Sequence, residues 1–189
     1  MGLLTVLRKQ KLKDRQVRVL MLGLDNAGKT SVVKAVLNQD VQEVAPTLGF
    51  AIKTLDLNGY KIDLWDVGGQ SSLRPFWRNY FDKTDAIVWV VDAASLDRLD
   101  DCRRELARVL AEDRLQGATL LVLVNKTDTI TDAADRDRAV AAVREALGID
   151  AIANHACSVV PCSAYTGDGI KPAFAWLLDD IRRRLYVFD

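Results

Sequence analysis

Cysteine is scarce in this chain: Cys102, Cys157 and Cys162 are the only three in 189 residues. The number is odd and no Cys-x-x-Cys or zinc-type spacing occurs, which argues against a disulfide framework and for buried thiols in a reducing compartment. Histidine occurs once, at His155, in a loop-like stretch without other ligand-type side chains nearby. That leaves it no catalytic partners in sequence, and packing or solvent exposure is expected. No apolar run reaches the ~18 residues that span a bilayer. The first residues lack the apolar core and cleavage site of a secretory signal. A net charge is also missing, because 26 Lys and Arg stand against 26 Asp and Glu. A uniformly basic surface of the nucleic-acid-binding kind is thereby excluded. The balance conceals an asymmetry. Residues 1–18 hold Arg8, Lys9, Lys11, Lys13, Arg15 and Arg18 against Asp14 alone, so a basic arm precedes a mildly acidic body.

What the chain does have is core material, 49% hydrophobic residues, arranged in alternation. Runs at Arg15–Leu24, Ala86–Asp92, Thr119–Asn125 and Ser158–Ser163 are short and apolar, as strands covered on both faces require. Helical spacing appears at Lys29–Asn38, Leu96–Leu115, Asp132–Leu147 and Ile170–Leu185. Phe50–Leu57 and Tyr60–Asp66 flank Asn58-Gly59, a strong hairpin signal. Residues 39–49 read as a loop. Strands alternating with helices predict a mostly parallel sheet with helices on both faces and one antiparallel edge. No internal repeat or linker occurs.

Three motifs carry chemistry. Gly23-Leu24-Asp25-Asn26-Ala27-Gly28-Lys29-Thr30 follows a strand and opens a helix that continues with Ser31. The glycines let backbone N–H groups converge on phosphate, Lys29 supplies a point charge, and Thr30 offers a hydroxyl to Mg²⁺. Asp66-Val67-Gly68-Gly69-Gln70 ends the strand after the hairpin. Asp66 can hold a Mg²⁺-bound water, Gly69 lets an N–H approach a terminal phosphate, and Gln70 can orient a water. Asn125-Lys126-Thr127-Asp128 ends the fifth apolar run, Thr119–Asn125. A carboxylate at Asp128 can accept from the N1–H and N2–H₂ edge of guanine, donors adenine does not offer. Ser163-Ala164 can support the guanine carbonyl. Alone, Asp128 would read as a helix cap.

In this order and spacing the motifs resemble those of the ADP-ribosylation factor family of small GTPases. Trp65-Asp66-Val67-Gly68-Gly69-Gln70 and Trp77-Arg78-Asn79-Tyr80-Phe81 also match that family. The resemblance covers nearly the whole chain. Met1-Gly2-Leu3-Leu4-Thr5 and Pro46-Thr47-Leu48-Gly49-Phe50 resemble one Arf-like branch of the family. The resemblance implies a P-loop small-GTPase fold with a six-stranded, mostly parallel sheet over residues 15–189. It implies GTP or GDP with Mg²⁺ as ligands and slow GTP hydrolysis. Thr47 matches a Mg²⁺-ligating threonine that senses the terminal phosphate. Asp25 stands where many small GTPases carry glycine, which implies a GTPase-activating protein that supplies an arginine. Phe50, Trp65 and Tyr80 match an aromatic trio that partners contact, with core packing as the alternative for Trp65. Partners implied are tubulin-folding cofactor D, lipidated-protein carriers of the phosphodiesterase-delta type and a helical binder of the N-terminal segment. A cytoplasmic monomer associated with centrosome or microtubules is expected, with no nucleic-acid partner. Two departures stand out: Thr127 replaces the usual glutamine, and the stretch after Asp128 is longer than usual.

Residues 1–14 fit an amphipathic helix, with Leu3, Leu4, Val6 and Leu7 on one face. One reading makes it a membrane anchor with a myristoyl group on Gly2, as in a trafficking GTPase. The other makes it a partner-binding or autoinhibitory helix. The myristoylation pattern wants a hydroxyl at position six, where Val6 stands, and one weak anchor does not hold a protein on a membrane. The second reading is therefore preferred. A nucleotide-dependent assembly cofactor with incidental hydrolysis stays open beside the switch. A P-loop kinase or ATPase is disfavoured by Asp128 and by the lack of an arginine-rich lid.

Overall fold

The computed structural model describes residues 15–186, so the expected N-terminal helix lies outside the described residues. Six strands form one sheet: β1 (Gln16–Leu22), β2 (Phe50–Leu57), β3 (Tyr60–Val67), β4 (Ala86–Asp92), β5 (Thr119–Asn125) and β6 (Cys157–Pro161). Their order is β2-β3-β1-β4-β5-β6, with β2–β3 antiparallel and every other pair parallel. Among the described residues four α-helices cover the sheet: α1 (Lys29–Val36), α2 (Leu99–Leu110), α3 (Ala133–Ala146) and α4 (Ile170–Tyr186).

The strands bury both faces by alternation. Val19, Met21, Val88, Val90, Leu121 and Leu123 face one way, toward Val32 and Val33 of α1 and Phe174, Leu177 and Ile181 of α4. Leu20, Leu22, Trp89, Val122 and Val124 face the other, toward Leu106 and Val109 of α2 and Val143 of α3. The hairpin joining β2 and β3 closes at Leu57 and Tyr60. Asn58 (φ 52°) and Gly59 (φ 77°) both adopt positive φ, as the tight hairpin turn demands.

Several expected boundaries shift; the first strand covers Gln16–Leu22 and not Arg15–Leu24, because Gly23 and Leu24 already belong to the phosphate-type loop. The run Leu96–Leu115 is not one helix. It divides into a 3₁₀ turn at Leu96–Arg98, α2, and a second 3₁₀ turn at Asp113–Leu115. Phase explains the break: Cys102, Leu106 and Val109 share the buried face, and an unbroken helix would bring Asp113 there and turn Leu115 outward. Breaking at Ala111–Glu112 lets Leu115 bury completely. The helix expected over Lys29–Asn38 stops at Val36, with Asn38 left-handed at φ 54°. The last strand runs over Cys157–Pro161, not Ser158–Ser163. Pro161 cannot donate to a ladder and sits on the outer strand; Cys162 N–H still donates to Val124 C=O of β5 at 2.9 Å, and the chain turns into the loop from there. A 3₁₀ helix at Arg74–Tyr80 has no apolar period that would reveal it.

Candidate functional site

The sheet order reverses around β1, and the loops leaving the carboxyl ends of β1, β3, β5 and β6 meet there, as ligand-binding loops do in open parallel sheets. The first is the phosphate-type loop. Gly23 (φ 142°) and Gly28 (φ 91°) supply its curvature. A Cβ on Gly28 would strike the Asn125 side-chain amide, and one on Gly23 the Val90 carbonyl. Lys29 is buried and donates to the carbonyls of Gly23 (3.0 Å) and Leu24 (2.8 Å). Burial lowers its ammonium to about 8, against the pull of Asp66 and Asp25. Leu24 and Ala27 are buried, so their side chains pack and only their backbone is offered.

Thr30, Thr47 and Asp66 come from three separate segments and meet. Thr30 Oγ1 lies 2.8 Å from Thr47 Oγ1 and donates to Asp66 Oδ2 at 2.6 Å, and Thr47 Oγ1 is 3.3 Å from the same oxygen. Asp66 is only 2% exposed, and its Oδ1 is buried without a hydrogen-bond partner among the described residues. Two hydroxyls and a buried, half-satisfied carboxylate are hard oxygen donors of the kind Mg²⁺ takes directly or through water. The residues therefore fit the ion, whose role when bound is to neutralise charge on the phosphates. The loop carrying Thr47 is tied to the next by Gly68 N–H donating to Gly49 C=O at 2.9 Å.

A groove of about 400 Å³ runs past Asn26, Gly28, Lys29, Thr30, Thr47, Gly69 and Gln70. A second hollow of about 190 Å³ shares Gly28, Ser31 and Lys126 with it and adds Asn125, Asp128 and Ala164. The two form one phosphate-to-base cleft. At the base end Asn125 bridges the loops, donating to Ala27 C=O and accepting from Ala164 N–H, both at 3.0 Å. Asp128 accepts from Ser163 Oγ at 2.6 Å and is itself exposed to the hollow's mouth. Thr127, in place of the usual glutamine, is buried and donates to Cys162 C=O at 2.9 Å. Its shortened stem therefore fastens the β5 loop to the β6 loop. Gln70 lines the phosphate end, with its Oε1 buried and unpartnered among the described residues.

Sequence reasoning missed the side chains that hold these in place. Asp25 pairs with Arg98 at 2.8 Å and Arg74 at 3.3 Å, and the Arg98 bond keeps its carboxyl below the usual range. Lys126 pairs with Asp92 at 2.7 Å. The register β4–β5, which sets Asp92 beside Asn125, is the signal that could have found this pair. Away from the cleft, Phe50 stacks on Trp65 at 5.7 Å and contacts Tyr80 at 5.1 Å. The Arg18 guanidinium lies 3.7 Å over Trp65. Phe50, Leu48, Ile52 and Phe76 are exposed while Trp65 is half-buried. His155 is buried, its Nδ1 2.8 Å from Ala118 C=O, and it does not line the cleft.

Known proteins bear on this arrangement. The family model described as "ADP-ribosylation factor family" matches residues 3–181. ADP-ribosylation factor-like protein 2 of Drosophila melanogaster is 47% identical over 189 residues, and that of Arabidopsis thaliana 46% over 190, each covering 100% of both chains. The ADP-ribosylation factor-like protein alp41 of Schizosaccharomyces pombe is 47% identical over 96% of this chain and 95% of its own. Among solved structures, the Arl6 BBS3 small GTPase of Trypanosoma brucei, with bound nucleotide analogue GppNp, superposes with a TM-score of 0.77. It is 25% identical and covers 89% of this chain and 98% of its own. The chain belongs to the ADP-ribosylation factor family: it is a GTP-binding switch of the GTP hydrolase class, with GTP or GDP and Mg²⁺ as its ligands.

Proposed function

We propose that this switch hydrolyses GTP slowly on its own, with Gln70 orienting the attacking water and a GTPase-activating protein completing the site. Asp128 selects guanine, Asn125 and Lys126 support the base side, and Ser163-Ala164 close over it. The glycines of the first loop and Lys29 take the phosphates. Thr30 and Thr47 are the direct Mg²⁺ ligands and Asp66 acts through water. The observation that carries this reading is the meeting of Thr30 and Thr47 on one half-satisfied Asp66 carboxylate. Thr47 sits on a long loop with few other anchors, so its contact depends on what fills the phosphate end. Loss of the terminal phosphate would release it, and with it the exposed apolar surface around Leu48 and Phe50.

We further propose, from the likeness to proteins named ADP-ribosylation factor-like protein 2, a role in tubulin folding and microtubule biogenesis and in release of lipidated cargo. The partners would be tubulin-folding cofactor D, carriers of the phosphodiesterase-delta type, and a helical binder of the N-terminal segment. The working place is the cytoplasm, with centrosomal or microtubule association. A pull-down from the protein's own cells with Gln70→Leu (GTP-loaded) and Thr30→Asn (GDP-loaded) tests this. Different partner sets in the two states, with tubulin cofactors or lipid carriers among them, are expected. Identical sets would refute the switch output.

A further inference from the structure

Gly69 and Gln70 form the phosphate end of the cleft, yet the pair Gly68-Gly69 gives this stretch little stiffness of its own. The stiffness comes from the 3₁₀ helix that follows. Trp77 Nε1 donates to Gly68 C=O at 2.9 Å, and Arg74 Nε donates to Gly69 C=O at 3.0 Å. Arg74 reaches further. Its Nη2 is 3.3 Å from Asp25 Oδ1 on the phosphate loop, and its Nη1 is 3.5 Å from Glu105 Oε1 on α2. The Arg74 side chain is 12% exposed and Glu105 16%, so that end of the fork is shielded and less screened than a surface pair, while Asp25, at 43%, meets it from the solvent side. Asp25 is anchored in turn by Arg98, whose Nη1 also donates to the Asp25 carbonyl at 3.0 Å.

The Gly69 carbonyl belongs to the peptide that carries the Gln70 N–H. The bond from Arg74 therefore fixes the plane from which the Gln70 side chain departs. Clearance here is small: a Cβ on Gly69 would collide with Lys29 Nζ and with the backbone of Gly23 and Leu24. A modest rotation of this peptide would change both what meets a terminal phosphate and where Gln70 Oε1 points. We propose that Arg74 is a positioning residue for the terminal phosphate. It clamps the Gly69–Gln70 peptide to Asp25 of the phosphate loop, so that the cleft prefers triphosphate over diphosphate, and it links that preference to α2 through Glu105. The inference rests on the guanine-nucleotide reading of the cleft. Lysine cannot substitute, because a single ammonium lacks the planar fork that spans one carbonyl and two carboxylates.

The test measures dissociation constants for GDP and for a non-hydrolysable GTP analogue, both with Mg²⁺, in the full-length protein and in R74A, R74K and E105Q. R74A and R74K are expected to lose about tenfold in analogue affinity while GDP affinity stays within about twofold, because charge-assisted bonds to a shielded peptide are lost at one end only. E105Q keeps the Gly69 bond and should change the ratio by about threefold or less. Single-turnover GTP hydrolysis should fall in step with the ratio. A ratio unchanged in both Arg74 variants overturns the proposal, whether the two affinities fall together, as for a merely structural residue, or neither moves. Failure of the unaltered protein to bind either nucleotide would overturn the underlying reading instead, and is a separate result.

Discussion

Gly28 sits at φ 91°, where a side chain is strained, and a Cβ there would press on the Asn125 amide. That amide joins the phosphate loop to the base end, so one methyl disturbs both. Gly28→Ala is expected to destabilise the fold by about 2 kcal/mol and to abolish tight nucleotide binding. Denaturation in urea and a fluorescent-GDP titration check the two effects. Legibility was uneven at this scale. Gly23, Gly28, Lys29, Thr30, Asp66 and Asn125 announce themselves because each lies in a short motif whose spacing the backbone dictates. The guanidinium partners of Asp25 do not, since Arg74 and Arg98 are 49 and 73 residues away in sequence. Only the three-dimensional approach of the 3₁₀ segments to the phosphate loop makes them partners.

At the scale of elements, the strands were readable because buried parallel strands are continuous apolar runs, and the hairpin because Asn-Gly takes two positive φ values cheaply. The break in the run Leu96–Leu115 was hidden, since its residues are all helix formers or neutral. It is imposed by the demand that Leu115, and not Asp113, reach the core. The thiols report on this packing. Burial pushes Cys102 up to about 11 and Cys162 up to about 12, and also raises the half-buried Cys157. In the folded protein at pH 8, iodoacetamide should label Cys157 first and leave Cys102 and Cys162 protected until unfolding, as mass spectrometry of intact protein and peptides would reveal. The raised thiols also set an alkaline limit. The unfolded chain releases these protons near its ordinary thiol range, so their contribution to stability is whole below about pH 9. It declines as pH rises through about 11 to 12. Stability that rose with pH over that range would contradict the burial.

Across the whole molecule, the cleft is built from loops at the carboxyl ends of the strands, and the two hydrophobic layers hold those loops through buried Leu24, Ala27 and Ala164. Asp66 Oδ1, without a partner among the described residues, and the buried Lys29 ammonium are groups that a bound phosphate and Mg²⁺ would satisfy. Ligand should therefore stabilise the fold strongly. GDP with Mg²⁺ at a hundredfold excess over its dissociation constant should add about 2.7 kcal/mol, or roughly 5–10 °C in Tm. Removing Mg²⁺ with EDTA should reverse most of that gain. The zero net charge, read from composition, excludes only a uniformly basic surface. The basic arm of residues 1–18 falls mostly outside the described residues. The most direct measurement of the central claim, a guanine-specific nucleotide switch, is displacement of fluorescent GDP by unlabelled GTP, GDP and ATP, in the unaltered protein and in Asp128→Asn. GTP and GDP should displace the probe while ATP fails at a thousandfold excess, and Asp128→Asn should weaken guanine binding by about a hundredfold or more. Displacement by ATP as effective as by GTP, or guanine affinity unchanged in Asp128→Asn, would contradict the account.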